Sequence, residues 1–280
     1  MTAATTHDRY ALTLGEQSEI HVGGRIYGNG LAAEGFTVAE LRLAAEAFGD
    51  RAQVVDLAAV LPEPLRASNQ AAILIIKGGV DAIMHQVGYS AEMLCEQRAV
   101  EYDKFYYDTR RQKMLRKIAR HNAVFGAAHV PPSEDYRQST VIGYDEVPLF
   151  QEFRLRLPAV LGEKARDLEA EGNHYYCSQA GIGFHGDAER RKVICASLGA
   201  STVLHMYWRL PGSSHPGSEV FRFPLDSGDV YVFSDKATGH DWRSSSRCRL
   251  VHGAGAAKYV VPPVRMPKSR KRKLEEPTAL

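Results

Sequence analysis

The stretch AGIGFHGDAERR, Ala180–Arg191, decides how this chain is read. His185 and Asp187 stand two apart, behind Gly181 and Gly183 and ahead of the apolar run VICASLG at 193–199. Alternate residues of an extended strand point to the same side. His185 and Asp187 can therefore offer an imidazole nitrogen and a carboxylate oxygen to one metal ion. A second His from later in the chain would complete a two-His-one-carboxylate face, which leaves about three positions open on iron(II). A His-x-Asp by itself recurs by chance, so the surrounding strands carry the inference.

Those strands follow at short, regular spacing. Lys192–Leu198, Ser201–Arg209, Glu219–Pro224 and Asp229–Phe233 are apolar or alternating and rich in aromatic and β-branched residues. Arg249–His252 and Lys258–Val261 are two further candidates. Gly, Pro, Ser and Asp turns separate them, and that pattern predicts a sandwich or jelly roll.

With these strands in view, the segments NHYYCSQAGIGFHGDAERR, LDSGDVYVFSDKATGHDW and LVHGAG resemble the iron(II)- and 2-oxoglutarate-dependent dioxygenases of the AlkB-like branch. Asn173-His174-Tyr175 matches the Asn-x-Tyr that precedes the His-x-Asp in that family, where both side chains hold 2-oxoglutarate. The whole chain is also similar to a subgroup from large DNA viruses and unicellular eukaryotes. The resemblance is specific over about 170–260 and looser over about 20–165. It implies an α+β fold: a double-stranded β-helix (jelly-roll) dioxygenase core with buttressing helices and an N-terminal α/β segment. It also implies Fe(II), 2-oxoglutarate as cosubstrate and O2.

The third metal ligand has two candidates. His252 follows the β-rich approach CRLV, while His240 lies in the polar loop TGHDWR. His205, in TVLHMYW, is expected to line or pack the barrel. The far carboxylate of 2-oxoglutarate calls for a cation, and the planar fork of Arg suits it best. In the family that cation sits on the strand after the last ligand. Lys258 fits if His252 is the ligand, and Arg249 if His240 is. Arg265 is a third option, although Pro267 argues against a central strand there.

No run of about 18 apolar residues predicts a membrane-spanning helix, and MTAATTHDRYAL has no signal-peptide pattern. Cys95, Cys177, Cys195 and Cys248 show no CxxC spacing, which points to a reducing compartment and no zinc module. The net charge is +2, but 265–280 holds six Lys/Arg and two Glu, so that tail carries +4 and the rest −2. Its KSRKRK, Lys268–Lys273, reads as a disordered nuclear-localisation or nucleic-acid segment. An intracellular, nuclear protein is the matching expectation.

The first part reads as α/β. Thr37 with Glu40 three later makes a capping box ahead of helical spacing. QVVDL and AAILII read as strands, and Gly78-Gly79 lacks the GK[ST] of a phosphate loop. The segment 90–126 reads as mostly helical. Arg110, Arg111, Lys113, Arg116, Lys117 and Arg120 interleave there with apolar residues, the pattern of a basic amphipathic helix that could lie on phosphates. HVPPSEDYRQST, 129–140, is the candidate boundary or substrate-gripping loop, and helices over 146–172 would buttress the barrel. The division is 1–130, N-terminal α/β and helical segment; 131–264, dioxygenase core; 265–280, basic tail.

The expected reaction oxidises a C–H or N-methyl group, on the resemblance a modified nucleobase in DNA or RNA. Tyr176, Tyr207, Trp208 and Trp242 are candidates to stack on a flipped base. Glu189–Lys192 are candidates for the mouth of the site. A protein or small-molecule hydroxylase on the same core, or a nucleic-acid-binding module with a vestigial site, are the alternatives.

Overall fold

Period-two burial builds the main sheet of this computed structural model, which describes residues 7–19, 26–28 and 30–263. In β1 (Arg9–Gly15), Tyr10, Leu12 and Leu14 enter one apolar cluster while Arg9, Ala11 and Thr13 face a cavity. In β5 (Ala72–Ile76), Leu74 and Ile76 join that same cluster and Ile73 and Ile75 a second one. In β12 (Val193–Gly199), Ile194, Ala196 and Leu198 alternate with Val193, Cys195 and Ser197 in the same way. A sheet covered on both faces needs this pattern.

The fold is mixed α and β, mostly strands in antiparallel sheets. The eight-stranded sheet runs β4 (Ala52–Asp56), β5, β15 (Val230–Phe233), β12, β1, β10 (Glu169–Tyr175), β8 (His121–Gly126) and β9 (Val141–Gly143). Among the described strands, only β8 and β9 pair in parallel. A four-stranded antiparallel sheet runs β11 (Gly181–His185), β16 (Arg249–Gly255), β13 (Thr202–Arg209) and β14 (Phe221–Leu225). Pro224 is tolerated because β14 is an edge strand. Among the described residues two further antiparallel pairs form, β2 (Gln17–Glu19) with β3 (Ile26–Gly28) and the hairpin of β6 (Phe105–Asp108) with β7 (Lys113–Arg116).

Helices cover one face of the large sheet. In α1 (Val38–Glu46), Thr37 Oγ1 accepts from the Glu40 N–H and Glu40 accepts from the Thr37 N–H, the capping box expected from the sequence. The short α2 (Glu63–Arg66) and α3 (Gly79–Met84) flank β5 in the chain, and α4 spans Tyr89–Ala99. In α5 (Pro148–Leu161), Phe150, Phe153, Leu157 and Leu161 recur every three or four residues and are buried against the sheet; this is the core-facing stripe of an amphipathic helix. The other face of the sheet meets the four-stranded sheet through Trp208, Met206, Leu250, Phe223, Phe233 and Ile73.

Three expectations are corrected. The helix expected over 90–126 stops at Ala99, and the basic segment is the β6–β7 hairpin followed by β8. Asp108 Oδ1 accepts from the backbone N–H groups of Arg110 and Arg111, and this side-chain-made turn folds the charged run back on itself. Lys258–Val261 is not a strand, since Lys258 lies in the short helix α6 (Ala257–Val260). Finally, strands from both sides of residue 130 interleave in the large sheet: β1, β4, β5 and β8 precede it, and β9, β10, β12 and β15 follow. Arg265 and the tail at 268–273 lie outside the described residues.

Candidate metal centre

His185 closes β11 and stands directly across from His252 on β16. A register shift between Ile182 and His185 re-aims the end of β11, as bulges do beside functional sites. Asp187 follows just past the strand, and its N–H donates to Thr238 O at 3.0 Å. Gly186 has no space for a side chain, because a Cβ there would meet Gly239 O at 2.3 Å and Trp242 Cβ at 2.8 Å. The turn at 238–242 therefore packs hard against the His-x-Asp and sets its direction.

The three side chains converge. His185 Nε2 and His252 Nε2 each lie 3.5 Å from Asp187 Oδ1, and one ligand atom from each residue falls within 4.8 Å of the others. Two ligand atoms at right angles, each about 2.1 Å from one ion, stand about 3 Å apart, so a small inward movement would bring these onto a metal. His185 Nδ1 lies 2.8 Å from Gly183 O and must donate to it, which leaves Nε2 as the free acceptor. Burial, with His252 beside it, pushes the His185 pKa down to about 4. Burial works to raise the Asp187 carboxyl, but His252, Arg190 and His185 outweigh it and hold it low. A neutral imidazole and an ionised carboxylate are the states a metal requires of its ligands. His252 Nδ1 is buried and meets no hydrogen-bond partner among the described residues. The donor set suits a divalent transition metal such as iron(II).

The three side chains lie on a cavity of about 170 Å3 walled by both sheets, with Asn173, Tyr175 and Cys195 from the large one and Thr202, Leu204 and Leu225 from the small one. Buried charges ring it. Arg190 pairs with Glu171 and donates to Gln17 O at 2.7 Å. Burial raises the Glu189 carboxyl. Beside this cavity, and sharing Arg120 with it, is a second one of about 440 Å3 lined by Tyr106, Arg111, Arg116 and Lys117. Lys117 donates to Asn122 Oδ1, and burial pushes its amine down to about 8.

The chain is 32% identical over 256 residues to uncharacterized protein R156 of Acanthamoeba polyphaga mimivirus, covering 89% of this chain and 96% of that protein. It belongs to the family of that viral protein. No family model matches the chain. Among the described residues, no helix is long and apolar enough to cross a membrane.

The residues singled out in the sequence separate in space. His240 does not join His185, Asp187 and His252: its Nδ1 turns to Asp235, 3.3 Å from that residue's carbonyl oxygen and 3.4 Å from its carboxylate. His205 neither lines the cavity nor packs between the sheets; it is half-buried on the opposite side of β13 from Leu204, with Nδ1 at Val203 O. Asn173 and Tyr175 do reach the cavity. The Asn173 amide is spoken for, accepting from Arg120 Nε at 2.6 Å and donating to Glu171 at 2.8 Å. Arg249 is buried but spends its guanidinium on the carbonyls of Leu210 and Ser213. Lys258 is exposed, above the Tyr259 ring. Neither cation lines the cavity.

Of the stacking candidates, Tyr207 and Trp208 are fully buried, and Tyr176 stacks on His121. Trp242 alone of the four lines the cavity. All four cysteines are free thiols. Arg9, Glu171 and Thr202 also line this cavity, and no motif or spacing marks Glu171 or Thr202 in the sequence. In RYALTLG, Arg9 opens an alternating strand on its polar side.

Proposed function

We propose that this chain is an iron(II)- and 2-oxoglutarate-dependent dioxygenase of the AlkB-like kind on a double-stranded β-helix, oxidising a C–H or N-methyl group of a modified nucleobase in DNA or RNA. One observation carries the reading: the imidazoles of His185 and His252 and the carboxylate of Asp187 converge at a cavity between two facing sheets. The strand order supports the fold, since the set β15-β12-β1-β10 faces the set β11-β16-β13-β14 across that cavity.

His185, Asp187 and His252 would hold the metal. Iron(II) with 2-oxoglutarate and oxygen supplies the oxidising power for hydroxylating a C–H bond, with succinate and carbon dioxide as by-products. The chain contributes the rest. Asp187 is held by the Thr238 carbonyl and the Gly186–Gly239 packing, so its carboxylate keeps one direction. The Glu171–Arg190 pair and the Arg120–Asn173–Glu171 bonds stiffen one wall. Trp242 and Arg243 line the cavity from the 238–243 turn and help exclude water. Support for a polyanionic substrate comes from the second cavity and from the exposed Arg110, Arg111, Lys113 and Arg116 on the adjoining hairpin.

The test is incubation with iron(II), 2-oxoglutarate and a panel of methylated oligonucleotides, read by mass spectrometry for succinate and for loss of the methyl mark. Substrate-stimulated succinate together with demethylation is the expected result. Metal binding without any succinate would defeat the reading. Succinate stimulated by a protein or small molecule and by no oligonucleotide would keep the chemistry and replace the substrate.

A further inference from the structure

The geometry points to Arg9, on the first strand of the chain, as the group that binds the far carboxylate of 2-oxoglutarate. This inference rests on the functional reading above and assigns a residue of the N-terminal strand to that same site.

The argument begins with alternation. The cavity side of β1 presents Arg9, Ala11 and Thr13, and the other side is sealed by Tyr10, Leu12 and Leu14. The strand cannot slide, because it is paired on both edges. Arg9 is in register with Tyr175 on β10 and with Gly199 on β12, and a slip by one residue would turn the apolar set into the cavity.

Arg9 is thus held in the wall of the metal cavity, 7% exposed. Its guanidinium lies 3.9 Å from the centroid of the Tyr175 ring, and Nη1 donates to Thr202 Oγ1 on the facing sheet. No carboxylate of a described residue forms an ion pair with it. A buried cation with most of its N–H groups unanswered is costly. An anion entering the cavity would relieve that cost.

The other cations of the cavity are committed or outside. Arg190 is neutralised by Glu171, Arg120 is tied to Asn173, and Arg243 is exposed over Trp242. Arg9 is left with a free planar fork, the shape that takes a carboxylate through two parallel bonds. The Tyr175 ring beneath it and the Thr202 hydroxyl beside it hold the fork in place. A ligand with a metal-chelating end and a carboxylate at its far end matches a cavity that has a metal face and this cation in its walls.

The test compares 2-oxoglutarate with 2-oxobutanoate, which keeps the keto-acid end and lacks the far carboxylate. Binding is measured by calorimetry, without oxygen, on protein loaded with manganese(II), beside the metal content of each variant. The wild type should prefer 2-oxoglutarate by about tenfold or more, the scale of a charge-assisted pair. Arg9→Met should bind both acids alike while keeping its metal. Arg9→Lys and Thr202→Val should retain part of the preference, and they decide the matter if Arg9→Met does not fold. Full preference surviving in the Arg9 variants, or no preference in the wild type, overturns the assignment. If neither acid binds the metal-loaded wild type, the dioxygenase reading itself falls and the role of Arg9 with it.

Discussion

His252 and His240 are both plausible ligands in the chain, twelve residues apart, and their backbone settings separate them. His252 is a ladder residue opposite His185, so the sheet aims its ring. His240 follows Gly239, at φ +70, and its ring turns back to Asp235. His252→Ala should lose at least about tenfold in metal affinity while His240→Ala stays near wild type, measured as bound iron per chain after dialysis. Metal retained in His252→Ala and lost in His240→Ala would reverse the assignment. Lys117 offers a pH test. Its folded pKa is about 8 against an ordinary 10.5. Below 8 both folded and unfolded chains carry the proton, and burying the cation costs on the order of 3 kcal/mol. As pH rises from 8 towards 10.5 the folded chain sheds the proton first, so the unfolded state binds more protons and stability climbs. Wild type should therefore gain on Lys117→Met across that window in denaturant titrations, and parallel curves would refute it.

At the scale of elements, the β6–β7 hairpin shows how local charge spacing misleads. Basic residues at three- and four-residue intervals suit a helix face, yet Asp108 captures two backbone N–H groups and Gln112 takes φ +50, which makes a turn. Tyr107 is then buried while Lys113, Met114 and Arg116 face out. The hairpin's Arg111 and Arg116 line the second cavity, which adjoins that of His185, Asp187 and His252 through Arg120. Lys117 is buried, so the informative reversals are Arg111→Glu and Arg116→Glu. Together they should weaken oligonucleotide binding at low salt and reduce the salt slope by about 1–2, with metal content unchanged. An unchanged slope in a fluorescence-anisotropy titration would remove the hairpin from the interface.

For the whole molecule, the join between the two sheets decides whether a cavity exists at all. Trp208 is fully buried there, and its Nε1 donates to Leu57 O at 2.7 Å. Trp208→Ala should cost about 3–5 kcal/mol, read from the denaturant midpoint, because it opens a void and strands that carbonyl; a loss under about 1 kcal/mol would mean that the sheets are held otherwise. What the sequence determined by itself is short-range: the capping box at Thr37 and Glu40, the apolar runs of β5 and β12, the alternation in β13, and a His and an Asp two apart at a strand end. Each is written within a few neighbouring residues, where backbone periodicity is the whole cause. The tertiary structure alone decided that β1 sits between β10 and β12, that Arg9 faces the cavity beside His185 and Asp187 while Lys258 and Arg249 do not, and that His252 rather than His240 meets His185 and Asp187. Those outcomes depend on which strands pair across long stretches of chain. Pairing is settled by the burial of both faces of a sheet at once, and it leaves no mark in the spacing of nearby residues.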